Sequence, residues 1–344
     1  MHEILRSTEE LEAFAPEWES LWKADPQATP FQSPAWLIPW WREFGQPGLR
    51  CLCIHVNGNC EGFLPFYIYP NAEERQLLLL GAGTSDYLDG VFSSLCKVED
   101  VRQALERLMV DQDWDVMIPT QLRPESKLLQ AMSRLVAAGR FDGESCGRMP
   151  AVAIAELPRK IRSNVRYYLN RAMREGSVEF ISADRETCAD TFEDMRQMHT
   201  ARWQGSGLPG VLADERVLAW HSQALPLLAA AGVLQLCTLK LNGESLAILY
   251  SLIDPPTRSE RCQYFYLTAY SIEHAALRPG TLLLALAIKQ AAGQGVQTID
   301  MLRGEEEYKT LWHLERNPTY GFVLRRDAEE PATAGNARRF YDGF

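Results

Sequence analysis

Between residues 300 and 313 the chain reads DMLRGEEEYKTLWH, which crowds Asp300, Arg303, three glutamates, Tyr308, Lys309, Trp312 and His313 into one short stretch. Such a stretch either solvates a helix or holds a reacting group. Asp300 ends an apolar run that reads as a strand, and the carboxyl end of a strand is where α/β sheets tend to place ligands. Arg303 and Gly304 read as the turn into a helix over 305–315. On that helix Tyr308, Lys309 and Trp312 flank one face. Glu305 to Glu307 fall in its first turn, where the helix dipole favours negative charge without any catalytic role.

Two other stretches carry comparable signals. In MHTARWQGSGLPG, His199, Arg202 and Trp203 fall at i, i+3 and i+4 near a helix end, ahead of a glycine-rich segment. His199 reads either as an acid/base near neutral pH with the loop as a substrate lid, or as a cation at a helix C-terminus with Trp203 in the core. Residues 158–176 carry six basic residues and one acid. Arg162 and Arg166 share a face that Asn170 continues, with Tyr167 and Tyr168 between Arg166 and Asn170. This face is either a clamp for a phosphate-bearing ligand or a solvated helix surface.

With 344 residues, 46% of them hydrophobic and 23% charged, the chain reads as a soluble protein with room for two domains. No run approaches the roughly 20 apolar residues of a membrane helix. The first residues, MHEILRSTEELEAF, lack the pattern of a signal peptide. Eight cysteines form no CxxC pair and do not cluster with histidine, so a zinc site and a disulfide framework are not expected, and the cytoplasm is. The net charge of -10 lies in the first half: residues 1–157 hold 13 Lys/Arg against 23 Asp/Glu, and the remainder holds 22 of each. An acidic first half argues against DNA as a partner.

The elements that must position these residues follow from periodicity. A strand at 2–6, helices opening at Ser7 (with Glu10 completing a capping box) and at Ser33-Pro34, and strands at 52–56, 62–69 and 76–80 come first. A helix (98–111), strand (114–118), helix (124–137) and strand (151–155) follow. Trp36, Trp40 and Trp41 sit at core spacing. The same order recurs: strand 178–182, helices 185–203 and 215–231, a hairpin 233–253 around Asn242-Gly243, strand 262–270, helix 281–292, strand 296–300, helix 305–315 and strand 321–325. Two α/β domains of one topology are expected, over 1–157 and 177–326. A basic linker helix at 158–176 and a flexible tail at 327–344 complete the division.

That order resembles the order of the GNAT acyltransferase fold. The stretches SNVRYYLNRAMREGSVEF, HTARWQGSGLPGVL, LKLNGESLAILYSL and PGTLLLALAIKQAAGQGVQTIDMLRGEEEYKTLW resemble the CelD/BcsL family of GNAT-like proteins, a double-GNAT arrangement related to the FemABX peptidyltransferases. SPAWLIPWW and GTSDYLD extend the likeness loosely into the first half. The resemblance implies two mixed, mostly antiparallel sheets flanked by helices. It also implies an acyltransferase that takes acetyl-CoA or another acyl-CoA to an amine or hydroxyl of a small molecule or saccharide, in cell-surface polysaccharide metabolism. Tyr308-Lys309 matches a pair in which the lysine stabilises transition-state charge. Asp300 or His199 would then handle a proton, and Arg303 would orient donor or acceptor. At LRPGTLL, where a GNAT protein holds the coenzyme pyrophosphate, only Gly280 of the expected small residues is in place. Two rivals stay open: an aminoacyl-tRNA donor, and a non-catalytic GNAT scaffold in a polysaccharide assembly. No metal is implied.

Overall fold

The computed structural model describes residues 3–45, 48–71, 73–110, 113–135, 139–204 and 210–326. Local start signals act as the sequence implies. After β1 (Glu3–Leu5), the Ser7 hydroxyl accepts from the Glu10 amide and the Glu10 carboxylate accepts from the Ser7 amide, a capping box that opens α1 (Thr8–Ala24). Ser33 caps α2 (Pro34–Phe44), with proline pre-setting the first helical turn. Then come β2 (Leu49–Val56), β3 (Asn59–Pro70), β4 (Arg75–Leu79), β5 (Val91–Phe92), α3 (Val98–Met109), β6 (Val116–Met117), α4 (Lys127–Leu135) and β7 (Arg140–Asp142).

The second series is β8 (Cys146–Pro150), α5 (Arg159–Glu175), β9 (Val178–Ser182), α6 (Cys188–Gln204), α7 (Glu215–Ala230), β10 (Leu234–Leu241), β11 (Glu244–Ile253), β12 (Cys262–Tyr270), α8 (Pro279–Gly293), β13 (Thr298–Asp300) and β14 (Glu315–Asn317). β15 (Tyr320–Phe322) and β16 (Leu324–Arg325) end the described chain. The turn between β10 and β11 has Asn242 at φ 52 and Gly243 at φ 83, the paired left-handed geometry that matches the twist of a hairpin.

The described residues form two units, one drawn from 1–145 together with 317–326, the other from 146–316. The sheet of the first runs β1-β2-β3-β4-β6-β16, with β5 beside β3, and is antiparallel except between β4 and β6. Trp18, Trp36, Trp40, Phe63 and Phe66 fill its core, and Trp41 is also buried.

The second unit's sheet runs β14-β8-β13-β12-β11-β10-β9, with β12 and β13 the parallel pair. Strand alternation divides its two faces. Ala247 and Leu249 join Ile161 and Val165 of α5 and Leu283 and Ile288 of α8 in one core. Tyr250, on the other face of β11, meets Phe192 of α6 and His221 of α7.

Several expectations differ from this architecture. The helix expected at 305–315 is a 3-10 turn, Glu307–Trp312, ended by His313 at φ 53. Residues 151–155 form no strand; the strand is β8, which stops at Pro150, a residue with no amide hydrogen to extend a ladder. The expected linker helix buries Ile161, Val165 and Ala172 in the second unit and is part of it. The strand expected at 321–325 is divided into β15 and β16, and both lie in the first unit. The expected tail and most of the glycine-rich lid (205–209) lie outside the described residues.

Candidate functional site

β12 and β13 stay in register for three pairs, Cys262 with Thr298, Gln263 with Ile299 and Tyr264 with Asp300. β13 then stops, while β12 continues to Tyr270. From Phe265 onward the β13-facing edge of β12 therefore has no strand beside it among the described residues. On its other side, Ser251 pairs with Phe265 but Tyr250 with Leu267, so Tyr266 is the extra residue of a bulge. A bulge bends a strand and re-aims its groups. Here it lies two residues past Tyr264, the last residue of β12 to pair with β13.

The charged stretch that follows β13 is organised around its own backbone. Asp300 is fully buried; one carboxylate oxygen accepts from Arg148 Nε at 2.7 Å and the other from the Leu302 amide at 2.8 Å. Leu302 is held at φ 58, and Gly304 at φ 103, a conformation that suits glycine. The Lys309 ammonium is buried and donates to the carbonyls of Leu302 (3.5 Å), Arg303 and Gly304 (3.4 Å), and it lies 3.0 Å from a Glu306 carboxylate oxygen. In that geometry Lys309 closes the 302–304 turn. Trp312 is buried in the core, while His313 is exposed and borders an open cleft of about 470 Å³ with Arg159, Lys160, Ser163 and Asn164.

A second cluster gathers at the end of α6. His199 is buried, and its Nδ1 has no hydrogen-bond partner among the described residues. Burial, with Arg202 nearby, holds the imidazole below its ordinary pKa. The Trp203 ring centre lies 5.9 Å from that of His199. The Arg202 guanidinium sits 4.5 Å from the centre of the Tyr270 ring. Tyr308, 45% exposed, has its phenol pushed up to about 12 by desolvation and by Glu306, with Arg202 acting the other way. Gly280 completes the corner: a Cβ there would meet only Tyr270, at 3.7 Å.

The structure thus brings Arg202 and Gly280 to Tyr270, sets His199 beside Trp203 at the same helix end, puts Tyr308 within electrostatic reach of Arg202, and joins Asp300, Arg303, Gly304 and Lys309 in one turn. Arg162 and Arg166 are exposed on α5, where Arg162 donates to the Ala155 carbonyl at 2.5 Å. Three residues of these clusters escaped sequence reasoning. Tyr270 ends a strand and could have been found from that position. Glu306 looked like helix-start charge, and nothing in the sequence links Arg148 to Asp300.

Residues 159–310 match the model of a family described as an acetyltransferase (GNAT) domain. The second unit carries a GNAT-like domain. Among solved structures, FemX shares 13% identity at a TM-score of 0.62, over 90% of this chain and 96% of that one. The C-terminal domain of a putative lysylphosphatidylglycerol synthetase from Agrobacterium fabrum shares 12% at 0.59, over 92% of each. A protein of unknown function from Bacteroides thetaiotaomicron shares 12% at 0.63, over 94% of this chain and all of that one. At such identities the likeness is one of fold. No curated protein matches the chain significantly. No helix among the described residues is long and apolar enough to cross a membrane.

The fold implies an acyl-CoA donor, and the two ends of that molecule meet different reception in the GNAT-like domain. The open edge of β12 can pair with an extended, amide-bearing arm as a further strand would. The start of α8 is a poor cradle for a pyrophosphate. Pro279 has no amide hydrogen, and the amides of Thr281 and Leu282 donate to the Arg278 carbonyl at 3.0 and 3.2 Å. Gly280 alone is left to offer an amide there, where anion binding draws on several.

Proposed function

We propose that the GNAT-like domain moves an acetyl or other acyl group from a thioester donor, acyl-CoA in the first instance, to an amine or hydroxyl of a small molecule or saccharide. The observation that supports this reading is the parting of β12 from β13 beside a bulge, with His199, Arg202 and Tyr270 at the same end of the sheet. The acceptor nitrogen or oxygen attacks the acyl carbon, the carbon–sulfur bond breaks, and the acceptor's proton ends on the departing thiolate. Backbone amides along the open edge of β12 are placed to receive the developing oxyanion. His199, held neutral near pH 7 and with Nδ1 available, is the group best placed to take the proton. Asp300 and Lys309 keep the 300–304 turn in shape. Arg202 and Tyr308 orient a polar group of donor or acceptor.

A thermal-shift titration of the full chain with acetyl-CoA, longer acyl-CoAs and free CoA tests this. A ligand at 100 times its dissociation constant adds about 2.7 kcal/mol of stability. A shift that depends on the acyl group supports a thioester donor. A flat response to every thioester, with transfer from aminoacyl-tRNA instead, replaces the donor and rejects the reading.

A further inference from the structure

Taking the acyl-transfer reading as given, we propose that the thioester donor is an acyl group on the phosphopantetheine arm of an acidic carrier protein, docked on the outer face of α5. Coenzyme A and a carrier's prosthetic arm share the pantetheine and the thioester. They differ beyond it: coenzyme A continues into a pyrophosphate and a nucleotide, whereas the arm ends in one phosphodiester on a protein. The GNAT-like domain keeps what the shared part needs, the open β12 edge. It lacks what the pyrophosphate needs, since Gly280 alone offers an amide at the start of α8. One phosphodiester asks less: that amide and the exposed guanidinium of Arg278.

The mouth of this path lies beside α5. Arg171 of α5 donates to the Ala276 carbonyl at 3.4 Å, in the turn that leads into α8. The outer face of α5 presents Arg159, Lys160, Arg166 and Arg174, all exposed and without an ion pair among the described residues. Tyr167 and Met173, 62% and 57% exposed, flank them, and Ile272 of the neighbouring turn is 51% exposed. A cationic helix face with apolar side chains at its borders complements an acidic protein helix that also offers apolar contacts. A nucleic acid would use the charges and Tyr167, but has little use for Met173 and Ile272. In the transfer itself the acceptor's nitrogen or oxygen bonds to the acyl carbon, the carbon–sulfur bond breaks, and the acceptor's proton goes to the thiolate left on the arm.

The test measures binding of four probes to the full chain at low and moderate salt: an acyl carrier protein bearing an acetylated arm, the same carrier without an arm, acetyl-pantetheine and acetyl-CoA. The loaded carrier should bind at least about 10-fold more tightly than acetyl-CoA and than the armless carrier. Charge reversal of Lys160→Glu with Arg174→Glu should weaken it about 10-fold or more and flatten its salt dependence. Both sites are exposed, and an unchanged unfolding midpoint of the variant confirms its fold. Acetyl-CoA binding as tightly as the loaded carrier overturns the proposal while leaving acyl transfer standing. So does an armless carrier that binds equally well, or an RNA that outcompetes the carrier on α5. Failure of every thioester probe removes the acyl-transfer reading together with it.

Discussion

Tyr264 faces Asp300 across two parallel strands, and it is the last residue of β12 to have a partner on that side. The pair marks the base of the opening, and Asp300 fixes the turn that leads away from it. Asp300→Ala would leave Arg148 beside a buried gap and the Leu302 amide without its acceptor. A loss of about 3 kcal/mol is expected, the lower part of the range for a broken buried pair because Arg148 is partly exposed. Asp300→Asn, which keeps an acceptor for Leu302, should lose less. Urea unfolding measures both; an Ala variant within about 0.5 kcal/mol of the wild type would mean that the turn is held by other contacts.

Lys309 offers a sharper division between holding and reacting. If its ammonium closes the 302–304 turn, Lys309→Met leaves three carbonyls and Glu306 without their donor and lowers stability by about 2 to 4 kcal/mol. Any loss of rate would accompany loss of structure. The opposite outcome, an unchanged midpoint with about 100-fold or greater loss of rate, would support the charge-stabilising role instead.

Gly280 is a test of access. Its φ is not left-handed, and a Cβ there makes one ordinary contact with Tyr270. Gly280→Ala should therefore change stability by less than about 1 kcal/mol, with helix propensity favouring alanine. A methyl group beside the sole available amide should nonetheless weaken donor binding. Parallel unfolding and titration of the variant checks both halves; undiminished donor binding would place the phosphate end of the donor elsewhere.

Two desolvated groups bend the pH profile in opposite senses. Burial pushes His221 down to about 3 in the folded chain. Between about pH 6.5 and 3 the unfolded chain binds a proton that the folded one does not, so stability falls as pH falls through this window. His221→Phe should remove that part of the acid loss, seen as a smaller gap between unfolding free energies at pH 7 and pH 4.5. A gap of unchanged size would show that His221 is not the group responsible.

In the first unit, burial pushes Asp89 up to about 7 despite Ser126, Arg123 and the Gly90 amide. The folded chain keeps this proton from about pH 4 to 7 while the unfolded chain has lost it, so stability falls as pH rises through that range. Asp89→Asn preserves an acceptor for the Gly90 amide and carries no charge. It should stabilise the protein at pH 8 more than at pH 5, by a margin that chemical denaturation at the two values resolves. Equal effects at the two pH values would contradict the raised pKa.

What could be read from the sequence was whatever is decided within a few residues. The Ser7–Glu10 box, Ser33-Pro34 and Asn242-Gly243 each encode a start or a turn locally, and the elements they announce are present. The limits of β8 and β16 were not legible. Their partners, β13 and β6, lie far away in the sequence, and pairing rather than propensity defines such short strands. The site divides in the same way. His199, Arg202 and Trp203 come from one helix end and could be grouped by spacing. Tyr308, Tyr270 and Gly280 join them only through the fold. The role of Lys309 depended on where its ammonium points, and helical periodicity pointed to a surface that a 3-10 turn does not have.

The second unit is one unbroken stretch, whereas the first takes β16 from the far end of the chain to flank β6. On the ribosome this inverts the expected sequence of events. By the time Asn317 has emerged, every strand of the later half is available, yet the earlier half still waits for β15 and β16. The N-terminal segment must therefore remain incomplete, with the edge of β6 unpaired on that side, until β16 has been made. A premature stop after Asn317 would spare the half that carries the GNAT-like domain and damage the half that was synthesised first.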